Sequence, residues 1–283
     1  MTLVQVLING VVLGSTFALM AVGLTLIFGI LRVINFTHGV LFMLGAYATW
    51  FLETRAGIPY LVSVPLAALA VGAFGVALEL LVLRRFRGML VEGAVVALAL
   101  AVVIQNAAVL VLPSTPQTLT TPFDSTISSH GVVLSSQRAF IVVAAFALLT
   151  ALALFISRTR LGRAVRALEQ NVYAARLQGV DPDRVAPLVF GIGATLAGLA
   201  GALIAPLQAL LPGAGDQPLL ASFVVVVLGG MGSVGGTLVA ALTIGIVQSG
   251  TTTYWTAPAA VATSFVLAIV VLVVRPQGFF GNA

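Results

Sequence analysis

The chain of 283 residues contains no cysteine and no lysine. Without cysteine it has no disulfide, no thiolate nucleophile and no cysteine metal site. Without lysine it has no phosphate-binding loop of the Walker type, which requires that residue. Charged residues make up only 7% of the chain, whereas soluble proteins have about a quarter. A soluble domain of this length could not cover its surface with so few polar groups.

Groups that carry chemistry are also scarce. His38 and His130 are the only histidines, and neither lies in a metal-binding spacing. Residues 230–235 fit the pattern G-x-G-x-x-G, but a dinucleotide site needs an acidic residue about twenty positions further on. The last acidic residue is Asp216. The sequence therefore predicts no metal site, no cofactor bound by this chain and no catalytic residue.

What the chain has in abundance is apolar sequence, with 60% hydrophobic residues in long runs. Such runs are typical of membrane-spanning helices. We predict an all-α, polytopic membrane protein with about eight to ten transmembrane helices, some of them broken or re-entrant. Residues 1–283 are expected to form one membrane domain.

Arginine fixes the expected orientation. Ten of the thirteen arginines lie in residues 84–87, in residues 158–184 and at Arg275. The positive-inside rule places these three regions in the cytoplasm and residues 113–138 outside, with the N-terminus outside. The net charge of +5 therefore reflects topology, with some attraction to anionic lipid, and predicts no binding to nucleic acid.

Two regions interrupt the apolar runs with glycine and polar residues, at residues 35–45 and 229–236. Broken helices in corresponding places of two halves indicate a central site. The residues expected along a translocation path are Asn35, Thr37, His38, Gly230 and Gly232. For His38 a structural hydrogen bond to freed backbone is an equal alternative. Gln105 and Asn106 fit either hydrogen bonding between helices or a place on the path.

The longest charged interval is residues 158–185, between two apolar runs. Apolar residues recur there every three or four positions, which predicts an amphipathic cytoplasmic helix over residues 162–177. Gly179 fits a left-handed stop at the end of this helix. Asp181 and Pro182 fit an N-cap followed by proline at the first helical position. This segment is either a docking helix for a soluble partner or a basic loop that only sets the topology.

Several stretches resemble the LivH-type permeases of branched-chain amino acid ABC importers. They include NG at 9–10, GLTLIFG at 23–29, INFTHG at 34–39, GVD at 179–181, LGGMGSVGG at 228–236 and RPQG at 275–278. The resemblance covers nearly the whole chain in order. Thr37, Asp181 and Gly235 depart from the usual alanine, asparagine and proline of the family. The departures leave the architecture intact and leave the substrate open.

The resemblance implies a complex in the bacterial inner membrane. Its other parts would be a second permease (a LivM-type partner or a second copy), two cytoplasmic ATPases that bind the ATP, and a periplasmic or lipid-anchored solute-binding protein. Residues 158–185 would then couple this chain to the ATPases. The residues expected to carry that coupling are Leu161, Arg163, Val165, Arg166, Leu168, Gly179 and Asp181.

We therefore expect a non-enzymatic permease subunit that conducts branched-chain or related amino acids. A permease of the same family for urea, short amides or another small solute is the alternative. An intramembrane enzyme would need paired catalytic groups at membrane depth, and the sequence offers none. A secondary carrier normally uses a buried carboxylate at the centre of a span, which is also missing.

Overall fold

The computed structural model describes residues 2–113, 115–120, 122–123, 125–129, 132–275 and 277–280, so His130 lies outside the described residues. The helices there are α1 (Thr2–Leu31), α2 (Thr37–Thr54), α3 (Tyr60–Leu81), α4 (Leu90–Val111), α5 (Ser136–Arg158), α6 (Arg160–Gln170), α7 (Val172–Leu177), α8 (Pro182–Ile204), α9 (Asp216–Gly229), α10 (Val234–Tyr254) and α11 (Ala257–Val274). A short antiparallel hairpin joins β1 (Thr126–Ser129) to β2 (Val132–Ser135).

Seven helices of the described chain are long and apolar enough to cross a membrane, namely α1, α3, α4, α5, α8, α10 and α11. The expectation of an all-α, polytopic membrane protein is thereby confirmed. The outer surfaces of α4, α5 and α11 are largely exposed and apolar, as expected for helices that face lipid or another membrane subunit. By contrast, α1 and α8 are mostly buried inside the protein.

One end of the molecule gathers the arginine-rich segments. The N–H of Gly88 donates to the carbonyl of Leu31 at the end of α1, over 3.2 Å. Asp183, at the start of α8, forms ion pairs with Arg84 and Arg87. The C-terminal stretch reaches the same end, where the N–H of Phe279 donates to the last turn of α9. By the positive-inside rule this is the cytoplasmic end.

The opposite end carries the loop predicted to lie outside. The Gln5 side chain of α1 bonds the backbone of Val133 in β2 at 3.0 and 2.9 Å. The Thr120 hydroxyl donates to Glu53 at the end of α2, over 2.5 Å. The start of α1 therefore lies with the outer loop, in agreement with an N-terminus outside.

The two shorter helices, α2 and α9, each complete a crossing together with a non-helical stretch. Residues 32–36 precede α2, and residues 208–215 precede α9. His38 lies level with Met20, eleven residues before the cytoplasmic end of α1, because its ring bonds the Met20 carbonyl at 2.9 Å. A helix rises about 1.5 Å per residue, so α2 begins well inside the protein. Counted this way, the described chain crosses nine times.

Glycines allow these helices to pack very closely. A Cβ built on Gly45 of α2 would lie 2.2 Å from the carbonyl oxygen of Gly198 in α8. A Cβ built on Gly245 of α10 would lie 2.4 Å from the Gly10 carbonyl oxygen of α1. Small residues at helix crossings are a common way of packing helices in membranes. These contacts bring the first and second halves of the chain together.

Candidate functional site

The predicted coupling segment folds as a helix that packs against the membrane domain. The Thr159 hydroxyl caps α6 by accepting from the N–H of Gly162 over 3.0 Å. Val165 and Leu168 are 4% and 1% exposed, and Leu161 is half-buried beside them. These three residues are among those expected to carry the coupling to the ATPases. In this structure they pack into the core of the chain itself.

The two arginines expected to take part in the coupling differ in their surroundings. Arg166 donates to the carbonyl oxygen of Ile156 over 2.6 Å and so ties α6 to the end of α5. That carbonyl lies in the last turn of α5, where helices leave carbonyls without internal partners. Arg163 is exposed to solvent. Only Arg163 of the two therefore faces away from the chain.

The helix predicted over residues 162–177 is not continuous. Asn171 has extended backbone angles (φ −159°, ψ 108°) and separates α6 from α7. Its side chain accepts from the N–H of Ala174 over 3.0 Å and caps α7. Asparagine competes in this way with the backbone hydrogen bonds of a helix interior. The prediction of a single helix was wrong because the periodic pattern continues through the cap.

The predicted stop and restart of the chain are confirmed. Gly179 has φ +82°, the left-handed angle that glycine adopts without strain. The N–H of Val180 donates to the Ala175 carbonyl over 3.0 Å. Asp181 then caps α8 by accepting from the N–H of Asp183 over 2.9 Å, with Pro182 in the first turn.

A network of charges at the start of α8 was not predicted from the sequence. Arg87 donates through Nε to Glu79 of α3 over 2.6 Å and through Nη1 to Asp183 over 2.5 Å. Arg84 pairs more loosely with Asp183 at 3.6 Å. The Glu79 side chain is completely buried. The network therefore anchors the restart of α8 to α3 directly after the coupling segment. The sequence shows these charges, but nothing in their spacing shows that they meet.

The surface of α7 is the part of this segment that is free for a partner. Tyr173 and Leu177 are 73% and 71% exposed. They lie four residues apart, which places them on one face of a helix. Large apolar side chains exposed beyond the membrane domain are typical of contacts with other proteins.

The three polar residues of the first break are all fully buried. Asn35 accepts hydrogen bonds from the N–H of Thr37 over 3.1 Å and from the Thr37 hydroxyl. The His38 ring bonds the Met20 carbonyl, which agrees with the alternative that His38 makes a structural hydrogen bond to backbone. The amide nitrogen of Asn35 and Nδ1 of His38 have no hydrogen-bond partner in the described residues. Their place on a translocation path stays a prediction.

The glycine turn between α9 and α10 contains two residues in the left-handed backbone conformation. Gly230 and Gly232 have φ +92° and +91°, and Gly236 packs closely on Gly229. The turn lies at the cytoplasmic end, however, rather than opposite the first break. The stretch that meets the first break is residues 208–215, since a Cβ built on Gly39 would lie 2.8 Å from the Gly215 carbonyl oxygen.

The two polar residues inside α4, Gln105 and Asn106, make different contacts. Gln105 donates to Asp216 at the start of α9 over 3.3 Å, which is a hydrogen bond between helices. Asn106 donates to the Val102 carbonyl of its own helix over 2.8 Å and is exposed.

A small polar cavity of about 310 Å³ lies at the outer end. Arg138 and Asn9 form part of its wall and are joined by a hydrogen bond of 2.6 Å. Ser249 lines it as well.

These features define a class of protein. The chain is a multi-pass membrane protein with helices broken inside the membrane domain and a structured, arginine-rich segment between two spans. Within the described residues no group of three or more His, Cys, Asp or Glu side chains is placed to hold a metal ion. The fold is that of a polytopic, all-α membrane protein.

The chain belongs to the family described as the permease component of the branched-chain amino acid transport system, which matches residues 6–274. It is 34% identical to the high-affinity branched-chain amino acid transport system permease protein BraD of Pseudomonas aeruginosa, over 98% of this chain and 95% of that protein. It is 32% identical to the corresponding permease LivH of Escherichia coli K12, with the same coverage.

A shorter match joins the chain to the ribose import permease RbsC of Escherichia coli K12. The identity is 36% over 102 residues, which is 34% of this chain and 32% of that protein. No solved structure matches the chain. The family and the relatives are transport permeases, so this chain is a permease component and not an enzyme.

Proposed function

We propose that this permease forms the translocation path for branched-chain or related amino acids across the bacterial inner membrane. The observation that carries the proposal is the match to BraD and LivH over 98% of the chain. We also propose that residues 1–283 form one membrane domain. Asn35, Thr37, His38, Gly230 and Gly232 stay as candidates for the path.

The complex that we propose contains two cytoplasmic ATPases, a second permease and a solute-binding protein. The second permease is a LivM-type partner or another copy of this chain. The solute-binding protein is periplasmic or lipid-anchored, and membrane lipid surrounds the assembly. ATP binds to the ATPases rather than to this chain, which contains no lysine for a Walker loop.

We assign the coupling role to residues 158–185 as one unit. Leu161, Val165, Arg166 and Leu168 attach α6 to the membrane domain, whereas Arg163 and the exposed face of α7 remain available to an ATPase. Gly179 and Asp181 fix the angle at which α8 begins. A push on α7 would therefore reach α8 through a short and well-capped connection.

Reconstitution of the complete complex in proteoliposomes tests the transport function. Uptake of radiolabelled leucine should require the loaded binding protein and hydrolysable ATP, and excess unlabelled valine or isoleucine should compete. Vesicles with a non-hydrolysable ATP analogue are the control. Uptake of urea, a short amide or ribose in place of the three aliphatic amino acids would overturn the substrate assignment and keep the permease role.

A further inference from the structure

A cavity of about 390 Å³ opens at the cytoplasmic end, where α1, α4, α6 and the glycine turn meet. Its volume falls within the range of small-molecule sites, about 300–1,000 Å³. The residues that line it are Phe28, Gly29, Arg32, Gly88, Leu90, Glu169, Met231 and Gly232. The lining thus combines one carboxylate, one guanidinium and three large apolar side chains.

Glu169 is the acidic group of this cavity. It lies on α6, and neither carboxylate oxygen has a hydrogen bond or an ion pair within the described part of the chain. A Cβ built on Gly232 would lie 3.0 Å from its Oε1, and one built on Gly29 would lie 3.4 Å away. Glycine at both positions therefore leaves the carboxylate accessible from the cavity. Partial burial disfavours the ionised form of a carboxylate, and a cation that reaches it offsets that cost.

Arg32 is the basic group. It follows the last residue of α1 and has φ +51°, the one non-glycine residue with positive φ among those described. Non-glycine residues rarely adopt this conformation, and such outliers cluster at functional sites. Its guanidinium is exposed and makes no hydrogen bond or ion pair with any described residue. Arg32 also lines a neighbouring cavity of about 400 Å³ whose other charged residues are Arg84, Arg87, Arg176 and Asp183. The net charge around Arg32 is therefore positive and favours an anion.

The apolar part of the lining is partly uncovered. Leu90 and Met231 are 45% and 61% exposed, and Phe28 is half-buried. They belong to three different elements that surround the charged pair. A ligand that suits this lining carries a cation, an anion and an apolar group close together.

We propose that the cavity binds a free α-amino acid with an apolar side chain, taken up from the cytoplasm. Arg32 contacts the carboxylate and Glu169 contacts the ammonium group. The apolar residues cover the side chain. The choice of ligand rests on the proposed function. If the permease imports apolar amino acids, these are the amino acids that accumulate on the cytoplasmic side, where the cavity opens.

The site has a consequence for transport. A bound amino acid connects α6, the end of α1 and the turn between α9 and α10. If the coupling segment must move relative to these elements in each cycle, a ligand that binds one arrangement stabilises that arrangement. Accumulated product therefore slows the transporter from inside the cell.

The experiment uses proteoliposomes of the complete complex in which the ATPases face the bath and loaded binding protein is enclosed. Hydrolysis of ATP added to the bath then measures only the complexes in this orientation. Leucine added to the bath should lower ATP hydrolysis several-fold. Two probes of nearly the same shape, 4-methylpentanoate without the ammonium and isoamylamine without the carboxylate, should act about ten-fold more weakly or worse, because each loses one charge-assisted contact.

Glu169→Gln and Arg32→Gln should each weaken inhibition by leucine about ten-fold, with every rate expressed relative to the same variant without leucine. Glu92→Gln and Arg85→Gln are the matched controls, since both residues are exposed at the same end and neither lines the cavity. Control variants should be inhibited like the wild type.

Three results would overturn the site. The first is wild-type hydrolysis that bath leucine leaves unchanged. The second is equal inhibition by leucine, 4-methylpentanoate and isoamylamine. The third is an effect of Glu169→Gln that appears only in vesicles containing phosphatidylethanolamine, which would assign the cavity to a lipid headgroup. ATP-dependent release of labelled leucine from the lumen into the bath, measured in the same preparation, separates the two proposals: release without inhibition rejects this site alone, and absence of release rejects the proposed function.

Discussion

At the scale of single residues, the chain buries few charged side chains and pairs a buried charge with one of opposite sign. Glu79 is completely buried, and Arg87 is its charged partner. Arg87 also joins Asp183, so one guanidinium serves the end of α3 and the start of α8. Removing one member of a buried pair costs about 3–5 kcal/mol, because the other charge is left uncompensated.

Arg87→Gln should therefore lower the thermal midpoint of the purified complex and reduce its yield, with a loss of about 3 kcal/mol in stability. Arg85→Gln is the control, since Arg85 is exposed and makes no ion pair with a described residue. The double variant Glu79→Gln with Arg87→Gln should recover part of the loss. Equal midpoints for Arg87→Gln and Arg85→Gln would show that Glu79 is compensated in another way.

A second residue prediction concerns pH. Burial raises the pKa of the Glu169 carboxyl above its ordinary value of 4.5, because a less polar environment disfavours the charged form. The folded protein then holds the proton more tightly than the unfolded chain. The destabilising effect of the charge is therefore present above the raised pKa and is lost as the pH falls through it.

Glu169→Gln should consequently be more thermostable than the wild type at about pH 8 in buffer free of amino acids, and the difference should shrink toward about pH 5. Thermal unfolding of the two proteins across this range measures the difference. Glu92→Gln, at an exposed position, should show no such trend. A difference between Glu169→Gln and the wild type that grows at low pH would contradict the assigned direction.

At the scale of elements, the coupling segment divides into a packed half and an exposed half. Leu168 on α6 is 1% exposed, whereas Leu177 on α7 is 71% exposed. Sequence periodicity predicted the amphipathic character, the stop at Gly179 and the cap at Asp181. It did not separate the two halves, because burial depends on which other elements lie nearby and not on the local pattern.

The two leucines therefore give different expectations on substitution by aspartate. Leu168→Asp should destabilise the membrane domain itself, because a charge replaces a side chain in the core. Leu177→Asp should leave the purified permease as stable as the wild type but lower the amount of ATPase that co-purifies with it, and lower uptake in parallel. Normal ATPase binding and uptake in Leu177→Asp would leave the segment with a topological role only.

The glycine turn between α9 and α10 offers a prediction with a close control. A side chain at Gly232 requires the left-handed conformation, which costs about 1–2 kcal/mol for other residues, and also meets the Glu169 carboxylate. Gly232→Leu should thus abolish uptake, and Gly232→Ala should reduce it. Gly235→Ala should be mild, because a Cβ there meets no atom within 4 Å. Wild-type uptake by Gly232→Leu would show that the turn tolerates any backbone conformation.

At the scale of the whole molecule, the crossings were easier to predict than their interruptions. Apolar length and arginine placement predicted a polytopic fold with about eight to ten crossings. The pairing of α2 with residues 208–215 was not predicted, because the contact between Gly39 and Gly215 joins distant parts of the chain. The charge network around Arg87 escaped prediction for the same reason.

Topology can be tested with single cysteines, since the chain has none of its own. A membrane-impermeant maleimide should label Ser125→Cys in intact spheroplasts and Gln178→Cys only after permeabilisation. Both positions lie in non-helical stretches outside the spans. The reverse pattern of labelling would invert the orientation assigned from arginine.

The meeting of Gly39 and Gly215 also sets an order of events during synthesis. About 175 residues separate these two glycines, and ribosomes add about 5–20 residues per second. The start of α2 at Gly39 must therefore wait about 10–35 s for the segment that contacts it. During that interval the first half of the nascent chain is an incomplete membrane protein with polar groups awaiting burial.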